Sequence, residues 1–96
     1  ERVPAEINLE ELKKKVESIS QIKDLHHIHL WQINENRTLF EGHVLLKNDM
    51  KISEAENIRE QVAKILEKDF HIFHPTVQLE FSHCKDQKCI MDHDKN

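Results

Sequence analysis

The sequence predicts an α+β fold, a two-layer αββαβ sandwich in which two helices cover one face of a three-stranded sheet. Two observations predict it. Two segments carry apolar residues at helical spacing, and three others are short, apolar and bounded by turn residues. In this order both helices can bury their apolar stripes on the same sheet face. The plan corresponds to a ferredoxin-like fold that lacks its first strand.

The first helix is predicted from Leu9 to Ser20. Asn8 followed by Glu11 has the pattern of a capping box, with Asn in place of the usual Ser or Thr. Behind this box, apolar residues recur at helical spacing, while Lys and Glu occupy the positions between them. The apolar set is Leu9, Leu12, Val16 and Ile19.

Two strands follow, from Leu25 to Asn34 and from Thr38 to Lys47, and the polar turn at 34–37 joins them into a hairpin. The pattern favours a register that pairs Leu30 with Gly42, because this register separates polar from apolar side chains most cleanly. A slip by one residue would exchange the two faces. In the favoured register the helices cover Ile28, Leu30, Phe40, Val44 and Leu46. The open face then carries His27, His29, Trp31, Ile33, Leu39, His43 and Leu45.

A second helix is predicted to open at Ser53, which forms a capping-box pattern with Glu56, and to end near Lys68. Its apolar face consists of Ile58, Val62, Ile65 and Leu66. The third strand is predicted from Ile72 to Phe81, where apolar and polar residues alternate. The helix between strands two and three makes a crossover connection, which we expect to be right-handed.

The chain of 96 residues is long enough for one small domain, placed at 1–81, and a polar tail at 82–96 that lacks periodicity. A net charge of -4 argues against nucleic-acid binding. The apolar runs are far shorter than a membrane span requires. Because the chain starts at Glu1 without an initiator Met, we interpret it as a soluble fragment of a longer protein.

Histidine occurs 8 times, an unusually high count for this length. Those near predicted strands are His26, His27, His29, His43, His71 and His74. Residues two apart on a strand point the same way about 6.6 Å apart, so His27 and His29 could ligate one metal ion together. Imidazole is the commonest protein metal ligand. As a set these residues favour metal binding over incidental histidines.

The tail holds a second cluster, made of His83, Cys84, Cys89 and His93. Two thiolates and two imidazoles match a tetrahedral zinc site in ligand type and number. A disulfide closing the short loop, or a tail without a defined site, are the alternatives. The sequence contains neither a nucleophile elbow nor a glycine-rich phosphate loop, since Gly42 is its one glycine, and we do not expect an enzyme.

Three segments resemble the cytoplasmic C-terminal domain of cation diffusion facilitator transporters. The run L-H-H-I-H-L-W at 25–31 resembles the V-H-D-L-H-I-W of that family, and His43-Val44 falls where its second strand carries H-V. The run F-H-I-F-H-P-T-V-Q-L-E at 70–80 is similar to F-G-I-x-H-x-T-I-Q-x-E. The likeness extends from about Val3 to Glu80, in the right order and spacing.

The resemblance implies a domain that follows six membrane helices on the cytoplasmic side, and a homodimer whose V shape closes when metal binds. It also implies His26, His43 and His74 as ligands, with a carboxylate that in one branch is Glu80. In the favoured hairpin register, however, His26 and His43 lie on opposite faces. Shared ligation requires a one-residue slip or a twist near His26.

The sequence therefore predicts the cytoplasmic regulatory domain of a divalent-cation efflux transporter, with zinc as the expected metal and Co(II), Ni(II) or Cd(II) as chemically similar ions. Its predicted partners are a second copy, the transmembrane domain of the same polypeptide and the metal ion. Two alternatives stay open: a soluble ferredoxin-like metallochaperone, and a dimerisation module without a metal role.

Overall fold

The computed structural model describes residues 7–82. It confirms the α+β sandwich and the order of its elements, which are α1 (Leu9–Glu17), β1 (Ile22–Asn34), β2 (Arg37–Leu46), α2 (Ile52–Phe70) and β3 (Thr76–Glu80). Among these residues, no helix is both long and apolar enough to cross a membrane.

The sheet has the order β1-β2-β3. Strand β1 runs antiparallel to β2, whereas β3 runs parallel to β2, so α2 forms the crossover that a parallel pair requires. Both helices pack on one face of this sheet and share a single apolar core with it. The core residues are Leu12, Val16, Ile22, Leu25, Leu30, Phe40, Val44, Leu46, Ile58, Val62, Leu66, Phe70, Ile72 and Val77.

The start of α1 lies where the capping pattern predicts it. The Asn8 side chain accepts a hydrogen bond from the backbone N–H of Glu11 at 3.1 Å, which satisfies one of the free N–H groups of the first turn. The helix ends at Glu17, before the predicted Ser20, because the backbone hydrogen bonds that follow span three residues instead of four. The N–H of Ile19 donates to the carbonyl of Val16, three residues back.

The predicted start of α2 was wrong. The helix begins at Ile52, and its N-cap residue is Lys51, whose backbone N–H donates to the Glu54 carboxylate at 3.0 Å. Glu56 instead accepts a hydrogen bond from the side chain of Arg59 at 2.6 Å. The helix ends at Phe70, where His71 adopts the left-handed conformation that commonly terminates helices.

Strand β3 is shorter than predicted. Ile72 is fully buried in the core, but the ladder with β2 starts only at Thr76. Pro75 precedes that residue and has no N–H to donate, so a regular ladder cannot extend back through it. The buried position of Ile72 explains why its apolar character resembled that of a strand residue.

The predicted hairpin register was also wrong. Leu30 pairs with Phe40 rather than with Gly42, a difference of two residues. A shift by two leaves the faces unchanged, so Leu30 and Phe40 still face the helices while Trp31 and Leu39 lie on the open face. Nearer the start of β1 the pairing shifts again, and His26 pairs directly with His43.

The open face carries fewer exposed apolar residues than predicted. Ile33 is 45% exposed, and Trp31 and Leu39 are half-buried, whereas Leu45 is only 5% exposed. Leu45 lies on the central strand, between Asp24 of β1 and Glu80 of β3, and these neighbouring strands flank it on both sides. We call Trp31, Ile33 and Leu39 the apolar patch.

The core predicts the consequence of shortening a central side chain. Leu66 lies on α2 and is fully buried among core residues. Leu66→Ala should reduce the free energy of unfolding by about 2–5 kcal/mol, because the substitution leaves a cavity as well as removing apolar surface from burial. Urea unfolding followed by circular dichroism measures this loss. The neighbouring exposed Glu67, changed to Ala, is the matched control; an equal loss in both variants would contradict this description of the core.

Candidate metal site

A β-bulge near the start of β1 determines which side chains share the open face. His26 pairs with His43 and His29 pairs with Glu41, so two residues of β1, His27 and Ile28, lie opposite the single residue Gly42. His27 has a φ of 52°, in the left-handed region that bulges tolerate. The extra residue reverses the alternation of side chains, and this places His26 and His43 on the same face.

Gly42 leaves little room opposite the bulge. A Cβ at this position would lie 2.8 Å from the ring of Phe40 and 3.2 Å from the side chain of Leu25, and both residues belong to the buried core. These distances are shorter than normal contacts between carbon atoms. The absence of a side chain at position 42 therefore lets Phe40 and Leu25 pack beneath the histidines.

The Glu80 carboxylate joins the three strands of the sheet on this face. Its Oε1 lies 3.1 Å from Nε2 of His26 on β1, and its Oε2 lies 2.6 Å from Nδ1 of His43 on β2. Gln78 also donates to Glu80 at 3.1 Å. The Glu80 side chain is only 9% exposed, so these hydrogen bonds compensate for the loss of water around its charge.

His27 completes a group of three imidazoles. Its ring centroid lies 5.0 Å from that of His26 and 4.9 Å from that of His43. One nitrogen of each ring lies within 4.8 Å of the others, a separation at which three side chains can share one metal ion after small adjustments. Three imidazoles and one carboxylate, from all three strands, thus converge on the open face. We call these residues, His26, His27, His43 and Glu80, the histidine cluster.

Lys13 and Asp24 lie behind His26. Asp24 accepts from Nδ1 of His26 at 2.9 Å through one oxygen, and from the Lys13 ammonium at 2.8 Å through the other. Partial burial favours the neutral form of Asp24, but the hydrogen bonds from Lys13 and His26 outweigh it and lower the pKa of Asp24 below 3.8. Partial burial likewise opposes the charge of Lys13, but hydrogen bonds to Asp24 and Glu17 raise its pKa above 10.5.

The structure brings together four of the residues singled out in the sequence, His26, His27, His43 and Glu80. His74 lies elsewhere: it shares a surface groove with the hairpin residues Asn34 and Arg37, at the opposite end of β3 from Glu80. Its role as a ligand stays a prediction. The four residues of the predicted tail site, His83, Cys84, Cys89 and His93, lie outside the described residues.

His27 groups with His26 and His43, and His29 is not part of this group. His29 lies beyond the bulge, where it is exposed opposite Glu41. Sequence reasoning also missed Asp24 and Lys13. Asp24 was accessible to it, because a residue two positions before His26 on a strand lies on the same face. Lys13 was not, because its contact with β1 depends on how α1 packs.

Comparison with known proteins identifies the family. The family model described as the cytoplasmic domain of cation efflux proteins matches residues 4–82. The chain therefore belongs to the cation efflux protein family, as a cytoplasmic domain, and this confirms the resemblance to cation diffusion facilitators and the expected location. The family consists of transporters rather than of enzymes.

Several curated relatives are transporters. The chain is 29% identical over 91 residues to the zinc transporter ZitB of Pectobacterium atrosepticum, covering 93% of this chain and 27% of that protein. It is 26% identical over 85 residues to the metal cation efflux system protein CzcD of Cupriavidus metallidurans, covering 88% of this chain and 26% of that protein. The chain thus spans about a quarter of the length of these relatives.

Solved structures show the same fold. The metal-bound C-terminal domain of CzcD from Cupriavidus metallidurans has a TM-score of 0.65 at 24% identity, covering 77% of this chain and 99% of that one. The zinc form of CzrB has a TM-score of 0.71 at 13% identity, covering 90% and 98%. At these identities the likeness establishes the fold, which is the truncated ferredoxin-like plan predicted from the sequence.

The ion pair between Lys13 and Asp24 predicts a pH dependence of stability in metal-free protein. Because the pKa of Asp24 is lowered in the folded state, its ionised carboxylate stabilises the fold above pH 3.8. This stabilisation is lost as the pH falls through the pKa that Asp24 has in the folded state. Because the pKa of Lys13 is raised in the folded state, its charged ammonium stabilises the fold below pH 10.5. This stabilisation is lost as the pH rises through the pKa that Lys13 has in the folded state.

Lys13→Met should therefore be less stable than the unaltered chain at neutral pH, by roughly 1 kcal/mol or less because both groups are partly exposed. The difference in the free energy of unfolding between Lys13→Met and the unaltered chain should narrow below pH 4 and again above pH 10.5. Urea unfolding in chelator between pH 3 and 11 measures it. A difference that is the same at every pH would show that the charge pair makes no contribution.

Proposed function

We propose that this chain is the cytoplasmic regulatory domain of a divalent-cation efflux transporter, with zinc as its metal, and that metal binding favours the transport-competent state of a homodimer. The observation that carries the proposal is the convergence of His26, His27, His43 and Glu80 on the open face of the sheet. We propose no catalytic activity for the domain.

The donor atoms suit zinc. Zinc binds imidazole nitrogen and carboxylate oxygen, commonly four ligands in a tetrahedral arrangement, and neutral imidazole is its commonest nitrogen ligand. Hard cations such as Mg²⁺ and Ca²⁺ prefer oxygen ligands, so a set dominated by histidine disfavours them. Co(II), Ni(II) and Cd(II) would compete for the same residues.

His74 and the tail residues are proposed as further ligands, distinct from this cluster. Cys84 follows Glu80 by four residues, a length of chain that reaches at most about 14 Å when extended. Tail thiolates could therefore reach the same end of the sheet. His74, beside the hairpin and at the opposite end of β3 from Glu80, would require a different metal ion or a different protomer.

The proposed homodimer uses the apolar patch of Trp31, Ile33 and Leu39. Ile33 is nearly half exposed, and an exposed group of apolar side chains indicates a binding surface. The patch and the histidine cluster lie on the same sheet face, and Leu39 and His43 are four residues apart along β2, or roughly 13 Å. Metal at one end of the face could thus affect how two copies pack at the other.

The first experiment tests metal binding. Isothermal titration with zinc should give a dissociation constant below about 100 μM for the unaltered chain, and His43→Ala or Glu80→Gln should weaken binding at least about tenfold, because each removes a ligand. His71→Asn is the control, since His71 is an exposed histidine outside the cluster and Asn tolerates its left-handed conformation. Equal losses in all three variants, or no binding at all, would exclude this site.

The second experiment tests dimerisation. Ile33→Glu places a charge on the apolar patch and should weaken self-association measured by analytical ultracentrifugation at least about tenfold. Ile52→Glu is the control, because Ile52 is 82% exposed on α2, away from the patch. If both variants stay as dimeric as the unaltered chain, the interface lies elsewhere. In the dimer, zinc should reduce the radius of gyration measured by X-ray scattering.

A further inference from the structure

The Lys13 side chain connects α1 to the edge of the sheet beside the histidine cluster. Its ammonium donates to Asp24 at 2.8 Å, to the carbonyl of Leu25 at 2.7 Å and to the carboxylate of Glu17. An ammonium has three N–H donors, and each of these acceptors uses one. The side chain therefore has a fully occupied set of partners, from two different elements.

Glu17 contributes the second half of this connection. Its carboxylate accepts from the backbone N–H of Leu25 at 2.8 Å, while Lys13 holds the carbonyl of the same residue. In the sheet formed by residues 7–82, β1 is an edge strand, so its outward N–H and C=O groups face no other strand of this sheet. Two side chains of α1, one turn apart, thus satisfy both outward groups of the residue that precedes His26.

Asp24 carries the connection from Lys13 to His26. One carboxylate oxygen accepts from Lys13, and the other accepts from Nδ1 of His26 at 2.9 Å. When Nδ1 donates its proton in this way, the other ring nitrogen, Nε2, is the one that faces Glu80 and the cluster. Loss of a carboxylate that orients a metal-binding histidine through the far ring nitrogen commonly reduces metal affinity about 10–100-fold.

We propose that Lys13 and Asp24 are positioning residues for the metal site: Asp24 fixes the orientation and tautomer of His26, and Lys13 fixes Asp24 by joining it to α1. The proposal rests on the metal-binding function proposed above. It assigns a role to two residues that do not touch the metal. Because the hydrogen bonds run in series, occupancy of the cluster and the packing of α1 against β1 affect each other.

The test uses the 96-residue chain with four substitutions, Asp24→Ala, Asp24→Asn, Lys13→Met and Lys14→Met. Asp24→Ala removes the acceptor for His26, whereas Asp24→Asn retains an acceptor oxygen without the charge. Lys14→Met is the matched control, because Lys14 is an exposed lysine on the same helix. All measurements are made at a temperature at which circular dichroism shows every variant to be folded.

Two quantities are measured. Zinc competition titration should show affinity reduced about 10–100-fold in Asp24→Ala, with Lys13→Met near the lower end of that range, partial recovery in Asp24→Asn and no change in Lys14→Met. Nitrogen-15 NMR of the zinc-loaded chain should show zinc on Nε2 of His26 and the proton on Nδ1 in the unaltered protein. In Asp24→Ala a second population, with zinc on Nδ1 and the proton on Nε2, should appear, a change that a general loss of stability would not cause.

The outcomes separate this proposal from the function on which it rests. If zinc binds and Asp24→Ala and Lys13→Met bind it within about threefold of the unaltered chain, positioning by these residues is overturned while the metal site stands. If neither the unaltered chain nor any variant binds zinc, the proposed function fails and the positioning role fails with it. If zinc binds and stays on Nε2 of His26 in Asp24→Ala as fully as in the unaltered chain, Asp24 does not orient the ring and its positioning role is overturned.

Discussion

One additional residue in β1 determines which side chains the open face of the sheet presents. Side chains on a strand alternate between the two faces of the sheet, and the side chains of directly paired residues share a face. One extra residue in a strand therefore exchanges the faces of all side chains beyond it. The bulge at His27 and Ile28 inserts such a residue into β1. Downstream of it, β1 and β2 place Leu30 and Phe40 in the core. Upstream of it, Leu25 and Val44 take those positions, and His26 and His43 share the other face.

The bulge combines two requirements that a regular hairpin could not meet together. The core needs an apolar side chain at Leu25 and again at Leu30, which are five residues apart and would lie on opposite faces of a regular strand. The proposed metal site needs His26 beside His43. The left-handed conformation of His27 meets both requirements, at an energetic cost of about 1–2 kcal/mol for a residue that has a Cβ.

The carboxylates of Glu80 and Asp24 on this face both have hydrogen-bonding partners. Glu80 contacts two imidazoles and the Gln78 amide, and Asp24 contacts Lys13 and His26. Within residues 7–82, no buried side-chain nitrogen or oxygen is without a hydrogen bond. Removing one member of such a network leaves another charge buried and uncompensated, so the cluster is held in position by the cost of disrupting it.

The sequence by itself determined the class of fold, the order of the five elements, most of the buried residues of both helices, and the residue types from which a metal site could be built; Leu9, which was predicted on the apolar face of α1, is 40% exposed. These depend on local patterns: helical spacing, strand alternation, and the short motifs that resemble one family. Only the tertiary structure decided the hairpin register, the grouping of His27 with His26 and His43, the contact of Asp24 with His26, and the separation of His74 from this group. A bulge changes the alternation without changing composition, and the contact of Lys13 with β1 depends on the packing of a helix eleven residues earlier in the chain. Periodicity in one segment carries no information about either.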